Sequence, residues 1–281
     1  MLFQKKYKNA RLTALLFSLL LLFSACQTQR TEKEDEVRTD YGVFIGADEE
    51  KIMSLKNYDI LVIDAQPLTQ EKIRAIRQNG NTKIYSYLNI GSIEEFRDCY
   101  DRFLPYAVGD YENWEEEKWI DVSAPEWQGY IYSEADRLIH NGADGLFIDN
   151  ADVYYFFHKS EIYDALMNIF GRFSEKGTDV IVNGGDVFIG EAVDNGRLPQ
   201  CIKGVNQESV FTSVDFENNS FGENDEDTKD YFLGYLDKCA KSGLDVYLLE
   251  YGAGKSLKEK ITGFCGENGY KCCFSDSLTL G

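Results

Sequence analysis

Gly142-Ala143-Asp144-Gly145-Leu146-Phe147-Ile148-Asp149-Asn150-Ala151-Asp152 decides the fold. A glycine that can stop a helix is followed by a short apolar run, which ends abruptly in Asp149, Asn150 and Asp152. An apolar run with no polar alternation suits a strand buried on both faces, as in a parallel sheet covered by helices. The same plan recurs along the chain. Runs of this kind occupy 41–45, 59–64, 83–89, 145–149, 179–183, 204–208, 245–250 and 271–276.

Between the runs lie stretches with apolar residues at helical spacing, over 69–78, 127–139, 161–173 and 228–240. Several stop at Asn79-Gly80, Asn141-Gly142, Lys176-Gly177 or Ser242-Gly243, the left-handed cap that precedes a return to a strand. Strand and helix alternating eight times within about 240 residues point to an α/β domain, a (β/α)₈ TIM barrel. Residues 91–124 form an enlarged loop or a subdomain at the mouth of the site, after the third strand. The eighth helix is truncated, because few residues follow the last strand.

The start of the chain has a different character. Lys5, Lys6, Lys8 and Arg11 precede an apolar run from Leu12 to Phe23, then Ser24-Ala25-Cys26. That run is too short to span a bilayer, which takes about 20 residues, and it has the layout of a signal peptide. Leu22-Phe23-Ser24-Ala25-Cys26 resembles a bacterial lipobox, with Phe23 where such motifs usually carry Leu. The resemblance implies a lipid on Cys26 and a protein held at the membrane, outside the cytoplasm. Residues 1–26 are then a signal peptide, 27–40 a polar flexible tether, and 41–281 one domain, expected as a monomer.

The formal charge is −19, and the signal segment holds four basic and no acidic residues, so the remainder stands at −19 − 4 = −23. That balance excludes nucleic acid as a partner and is compatible with a neutral or cationic substrate. Solubility alone explains most of it. After Cys26 come Cys99, Cys201, Cys239, Cys265, Cys272 and Cys273, with no CxxC and only two histidines. No metal or other cofactor is expected from that set; Asp149-Asn150-Ala151-Asp152 could offer oxygen ligands to a divalent ion, but it lacks regular calcium-loop spacing. Buried thiols and one or two disulfides remain equally compatible with the spacing.

Active sites of such barrels sit at the C-terminal ends of the strands. Those ends carry Asp64, Asn89, Asp149-Asn150 with Asp152, Asn183, Gln207-Glu208, Glu250-Tyr251 and Asp276. Crowded carboxylates cannot all ionise freely, so at least one proton affinity rises. One acid and one base or nucleophile result, the pair that glycosidic cleavage requires. Neither His140 nor His158 falls at a strand end, and no G-x-S-x-G occurs. Tyr85, Tyr87, Trp114, Trp119, Trp127, Tyr154, Tyr155 and Tyr251 lie near these ends; any one alone is expected to pack the barrel or the long loop, while the cluster as a whole suits stacking on a sugar.

Several segments are similar to glycoside hydrolase family 114, the endo-α-1,4-polygalactosaminidases and their relatives. They are Tyr87-Leu88-Asn89-Ile90-Gly91-Ser92 with Arg97, Lys118-Trp119-Ile120-Asp121-Val122, the 142–154 segment, Val205-Asn206-Gln207-Glu208, and Leu249-Glu250-Tyr251. The resemblance implies Asp149 and Glu208 as the catalytic pair, and an α-linked amino-sugar polysaccharide, galactosaminan-like and cationic, cut in endo fashion. Asp64, Tyr87, Asn89, Asn150, Asp152, Tyr154, Asn183, Gln207, Glu250 and Tyr251 are the expected substrate-binding residues. Some members place the strand-six Glu directly after Asn, whereas Gln207 intervenes here. A slip of one residue would move the role of Glu208 to a neighbour or to Glu250. Either carboxyl could attack, and a sequence does not carry the separation that distinguishes retention from inversion. A non-catalytic sugar-binding lipoprotein and a hydrolase of another glycan fit the same residues.

Overall fold

A computed structural model describes residues 37–218 and 220–281. The signal segment, Cys26 and most of the tether lie outside the described residues. Eight parallel strands form one sheet: β1 (Thr39–Phe44), β2 (Tyr58–Ile63), β3 (Lys83–Asn89), β7 (Gly145–Asp149), β8 (Asp179–Asn183), β9 (Ile202–Glu208), β12 (Asp245–Tyr251) and β13 (Lys271–Ser275). They neighbour one another in that order, and β13 comes round against β1 in a nearly closed barrel. The predicted runs match these strands to within two residues, and 83–89, 145–149 and 179–183 match at both ends.

Helices follow the strands on the outside, among them Gln70–Gln78, Pro125–His140, Ser160–Lys176, Glu226–Lys241 and Lys255–Asn268. The cap glycines Gly80, Gly142, Gly177 and Gly243 all have positive φ, as the return to each strand demands. One apolar cluster fills the space between the strands and the helices, around residues such as Leu61, Ile148, Phe170 and Leu236. A second lies inside the barrel and includes Tyr41, Tyr85, Phe147, Tyr247 and Leu249. On seven of the strands alternate residues contribute to the two clusters, and β9 turns only Ile202 and Val205 to the outer one, leaving Gly204, Asn206 and Glu208 to the interior.

Two of the inward positions are glycines at the base of the barrel. A Cβ at Gly145 would stand 2.5 Å from a ring carbon of Tyr85, and 2.6 Å from the Asp179 carbonyl oxygen. One at Gly204 would stand 2.8 Å from both the Tyr247 ring and the Asp245 carbonyl oxygen. The missing side chains make room for two tyrosine rings beneath the strands that carry Asp149 and Glu208.

Three details sharpen or change the sequence expectation. The first strand begins at Thr39, which pairs with Tyr58, and Arg38 Nε donates to Asp59 at 2.7 Å. Residues 38–40, read as tether, therefore belong to the barrel. The segment after β3 is a folded subdomain: β4 (Ser92–Glu94), β5 (Ala107–Asp110) and β6 (Glu117–Ile120) make an antiparallel sheet. A hairpin of β10 (Thr212–Asp215) and β11 (Ser220–Glu223), absent from the sequence reading, follows β9. Beyond β13 the tail crosses the end of β1, where Gly46 N–H donates to the Leu280 carbonyl at 3.3 Å and Leu280 is buried.

Gly145→Ala should destabilise the domain by about 1–3 kcal/mol, because backbone on one side and a ring on the other leave the methyl nowhere to go. Urea unfolding of the variant beside the parent chain measures this. An unchanged midpoint would mean that the base of the barrel is looser than described.

Candidate active site

The C-terminal strand ends open into a cleft of about 1020 Å³. Asp149 is the last residue of β7 and faces inward with Gly145 and Phe147. Glu208 ends β9 and lies four residues after Gly204 and two after Asn206, so all three share the inward face. That register settles the doubt raised by Gln207: the carboxylate of Glu208 is directed at the cleft.

Asn183, at the end of β8 between them, joins the two. Its Nδ2 donates to Asp149 Oδ1 at 2.9 Å and to Glu208 Oε1 at 2.7 Å. Two oxygens bonded to one nitrogen lie within about 5.6 Å of each other, the sum 2.9 + 2.7. Asn183 Oδ1 accepts from Asn206 Nδ2 at 2.7 Å, and Asn206 Oδ1 accepts from the Tyr41 hydroxyl at 2.9 Å. On the far side the Tyr251 hydroxyl donates to Glu208 Oε2 at 2.7 Å. Asp149 Oδ1 also accepts from the Asn150 backbone N–H at 3.0 Å.

Electrostatics separate the members of this group. Burial pushes Asp149 well above the usual carboxylate range, the charge of Glu208 adds to it, and the Asn183 donor opposes it. Asp152 is pushed up to about 6, chiefly by burial, against the opposing effect of Gly185 N–H, which meets its oxygens at 3.1 and 3.0 Å. Glu117 is pushed up to about 7 by burial; the Ser92 hydroxyl at 2.8 Å opposes this and nearby Glu94 adds to it. Glu94 and Glu117 face each other across β4 and β6. Arg97 is the cation of that wall, and Glu94 at 2.6 Å and Asp64 at 2.7 Å hold it.

The other expected residues divide into two groups. Tyr87, Asn150, Asp152, Gln207 and Tyr251 line the cleft with the pair and Asn183. Tyr87 donates to Glu94 at 3.0 Å, and Asn150 accepts from Tyr111 at 2.9 Å. Gln207 is buried, with Nε2 donating to the Glu208 carbonyl at 3.3 Å. Four residues are engaged elsewhere. Asp64 binds Arg97. Asn89 ties the β3–β4 corner, accepting from the N–H groups of Gly91 and Ser92. Tyr154 donates to Glu191 at 2.7 Å and stacks on His158.

Glu250 is the clearest correction. It is fully buried and accepts from the N–H groups of Val210, Phe211 and Thr212 and from the Thr212 hydroxyl. Its neighbours Leu249 and Tyr251 take the inward positions on β12, so Glu250 points away from the cleft and pins the loop after Glu208. It is no sugar ligand and no substitute for Glu208. Tyr41, Asn206, Tyr111 and Glu117 were missed as site residues. Asn206 alone carried a signal, its position two residues before Glu208 on the same face.

The raised Glu117 links stability to pH. The folded chain holds this proton more tightly than the unfolded chain, so the stabilisation is complete below about 4.5 and lost as pH rises through about 7. Glu117→Gln removes that dependence. The variant should gain stability relative to the parent chain across this window, as measured by urea unfolding at several pH values. A constant difference would contradict the assignment.

Residues 24–276 match the model of glycoside-hydrolase family GH114. The uncharacterized protein MJ1477 of Methanocaldococcus jannaschii is 29% identical over 111 residues, covering 35% of this chain and 32% of that protein. The match thus takes in about a third of that relative's length. The glycoside hydrolase domain of PelA from Pseudomonas aeruginosa superposes with a TM-score of 0.70 at 17% identity, over 86% of this chain and 95% of that one. Ega3 of Aspergillus fumigatus, solved in complex with galactosamine, gives 0.63 at 15% identity, over 87% and 92%. The structural likenesses establish a shared barrel, and the family model, matching most of the length, identifies the chain as a member of glycoside-hydrolase family GH114.

Proposed function

We propose that this chain hydrolyses an α-linked amino-sugar polysaccharide of the galactosaminan type, in endo fashion and outside the cytoplasm, tethered through a lipid on Cys26. The observation that carries the reading is the pair itself: two carboxyl groups on one amide nitrogen, within about 5.6 Å, at the mouth of the barrel. Retaining glycosidases hold their carboxyl groups about 5–5.5 Å apart, and inverting ones about 6.5–9.5 Å, to admit a water. The separation supports retention.

In that scheme one carboxylate attacks the anomeric carbon while the other, protonated, gives its proton to the leaving oxygen. Water then enters, the second group takes a proton from it, and the glycosyl–carboxylate bond breaks. We assign attack to Asp149 and proton transfer to Glu208. Burial by itself favours the proton on Asp149. Positive charge brings the opposite preference: an ammonium group, or the charge that grows on the anomeric carbon facing Asp149, lowers the proton affinity of that carboxyl.

The lining supports a cationic polymer. Glu94, Glu112, Glu115, Glu116, Glu117 and Asp152 border the cleft, and Arg97 is already neutralised by Glu94 and Asp64. Galactosamine bound to Ega3, on the same barrel, is consistent with this. Trp114 from the insertion and Phe216 from the hairpin meet edge to face at 6.4 Å at the cleft, offering flat surfaces for sugar rings.

The purified domain, incubated with galactosaminan and with neutral polysaccharides, should release new reducing ends from the cationic polymer. Asp149→Asn and Glu208→Gln should each lower the rate by about 10²–10⁴-fold. An aryl glycoside, whose leaving group needs no proton, should restore glycosyl transfer to Glu208→Gln but not to Asp149→Asn. Binding with no hydrolysis of any polymer would make the chain a sugar-binding protein. Hydrolysis of a neutral polymer alone would move the substrate to another glycan.

A further inference from the structure

The hydrogen-bond chain beneath the catalytic pair begins far from it in sequence. Tyr41 lies on β1 and is fully buried inside the barrel, and its hydroxyl reaches Asn206 across 165 residues of sequence. Asn206 has no exposed surface. Its two amide atoms are both engaged, the oxygen accepting from Tyr41 and the nitrogen donating to Asn183 Oδ1. A side-chain amide can face a carboxylate with either its oxygen or its nitrogen, and only the nitrogen attracts it. With Asn183 Oδ1 held by Asn206, the Asn183 nitrogen must face the cleft, where its two protons go to Asp149 and Glu208.

We propose that Tyr41 and Asn206 are positioning residues of the reaction: by holding the Asn183 oxygen they keep its N–H groups on both catalytic carboxyls. The proposal deepens the glycosidase reading and rests on it for its meaning in catalysis. It does not rest on it for the electrostatic effect. Neither residue touches the cleft, so neither reaches a sugar. The chain runs in one direction, from a hydroxyl donor through two amides to acceptors that are ionised or carry a single proton. A buried network of this kind is worth most when every member is satisfied.

The consequence can be read at Asp149. The groups that face it are Glu208 from β9, Glu117 from β6, Asp152 from its own loop, and the hydroxyls of Tyr87, Tyr111 and Tyr251. The three carboxylates raise its proton affinity, and the Asn183 donor lowers it. When the amide loses its restraint, the donor is lost for part of the time and Asp149 binds its proton more tightly. The shift is therefore upward in pH.

The test is a titration of Asp149 by ¹³C-carboxyl NMR, with its signal assigned from Asp149→Asn, in the full domain without substrate. Asn206→Leu should raise the midpoint by about one pH unit, the scale of one hydrogen bond to a charged group. Tyr41→Phe should move it the same way by less. Tyr247→Phe serves as the control. It removes a hydroxyl from the ring that packs on Tyr41 at 4.7 Å but lies outside the chain of bonds, so the midpoint should stay in place. An unchanged midpoint in both relay variants, or an equal shift in the control, overturns the proposal. If Asn206→Leu does not fold, Tyr41→Phe against Tyr247→Phe decides alone. Failure of the wild-type domain to cleave any glycan would remove the glycosidase reading and leave the titration to stand or fall by itself.

Discussion

A single amide nitrogen, Nδ2 of Asn183, holds the two carboxyl groups on which the proposed chemistry depends. Two carboxylates this close repel one another, and a shared donor is the least bulky device that draws both to one place. The barrel is built so that this amide stays put. Three adjacent strands end in Asp149, Asn183 and Glu208, and their parallel ladders set the heights of the three side chains relative to one another. Beneath them Gly145 and Gly204 admit the rings of Tyr85 and Tyr247, and Tyr41 closes the interior while anchoring Asn206. Packing below and hydrogen bonding above are one construction.

Charge shapes the remainder of the cleft. Carboxylates outnumber cations along its wall, and the arginine present is held by two of them. Burial raises the proton affinity of Asp149, Asp152 and Glu117, so the cleft holds protons that exposed carboxylates would release. The proposed cationic polymer is argued from this lining rather than from the net charge of the chain.

The barrel was legible because strands buried on both faces leave continuous apolar runs, and because glycines such as Gly80, Gly142, Gly177 and Gly243 end the helices before several returns. The insertion after β3 was legible only as length, since strands such as Ser92–Glu94 and Glu117–Ile120 are too short and too polar to leave a pattern. The β10–β11 hairpin was hidden for the same reason. Position at a strand end did bring Asp149, Asn183 and Glu208 to the cleft. It failed for Glu250 because neighbouring residues on a strand point to opposite sides, and Tyr251 already held the inward place. Asp64 and Asn89 do lie at strand ends, but Arg97 and the β3–β4 corner engage them, contacts made by segments whose folding the sequence does not announce.

The central claim is that the pair is close enough for direct attack by a carboxylate. Proton NMR of the first sugar released, recorded before its anomers equilibrate, tests this without any substitution. A separation within about 5.6 Å predicts that the α configuration is kept. A first product in the β configuration would mean that water attacks directly, and would contradict the account of the pair.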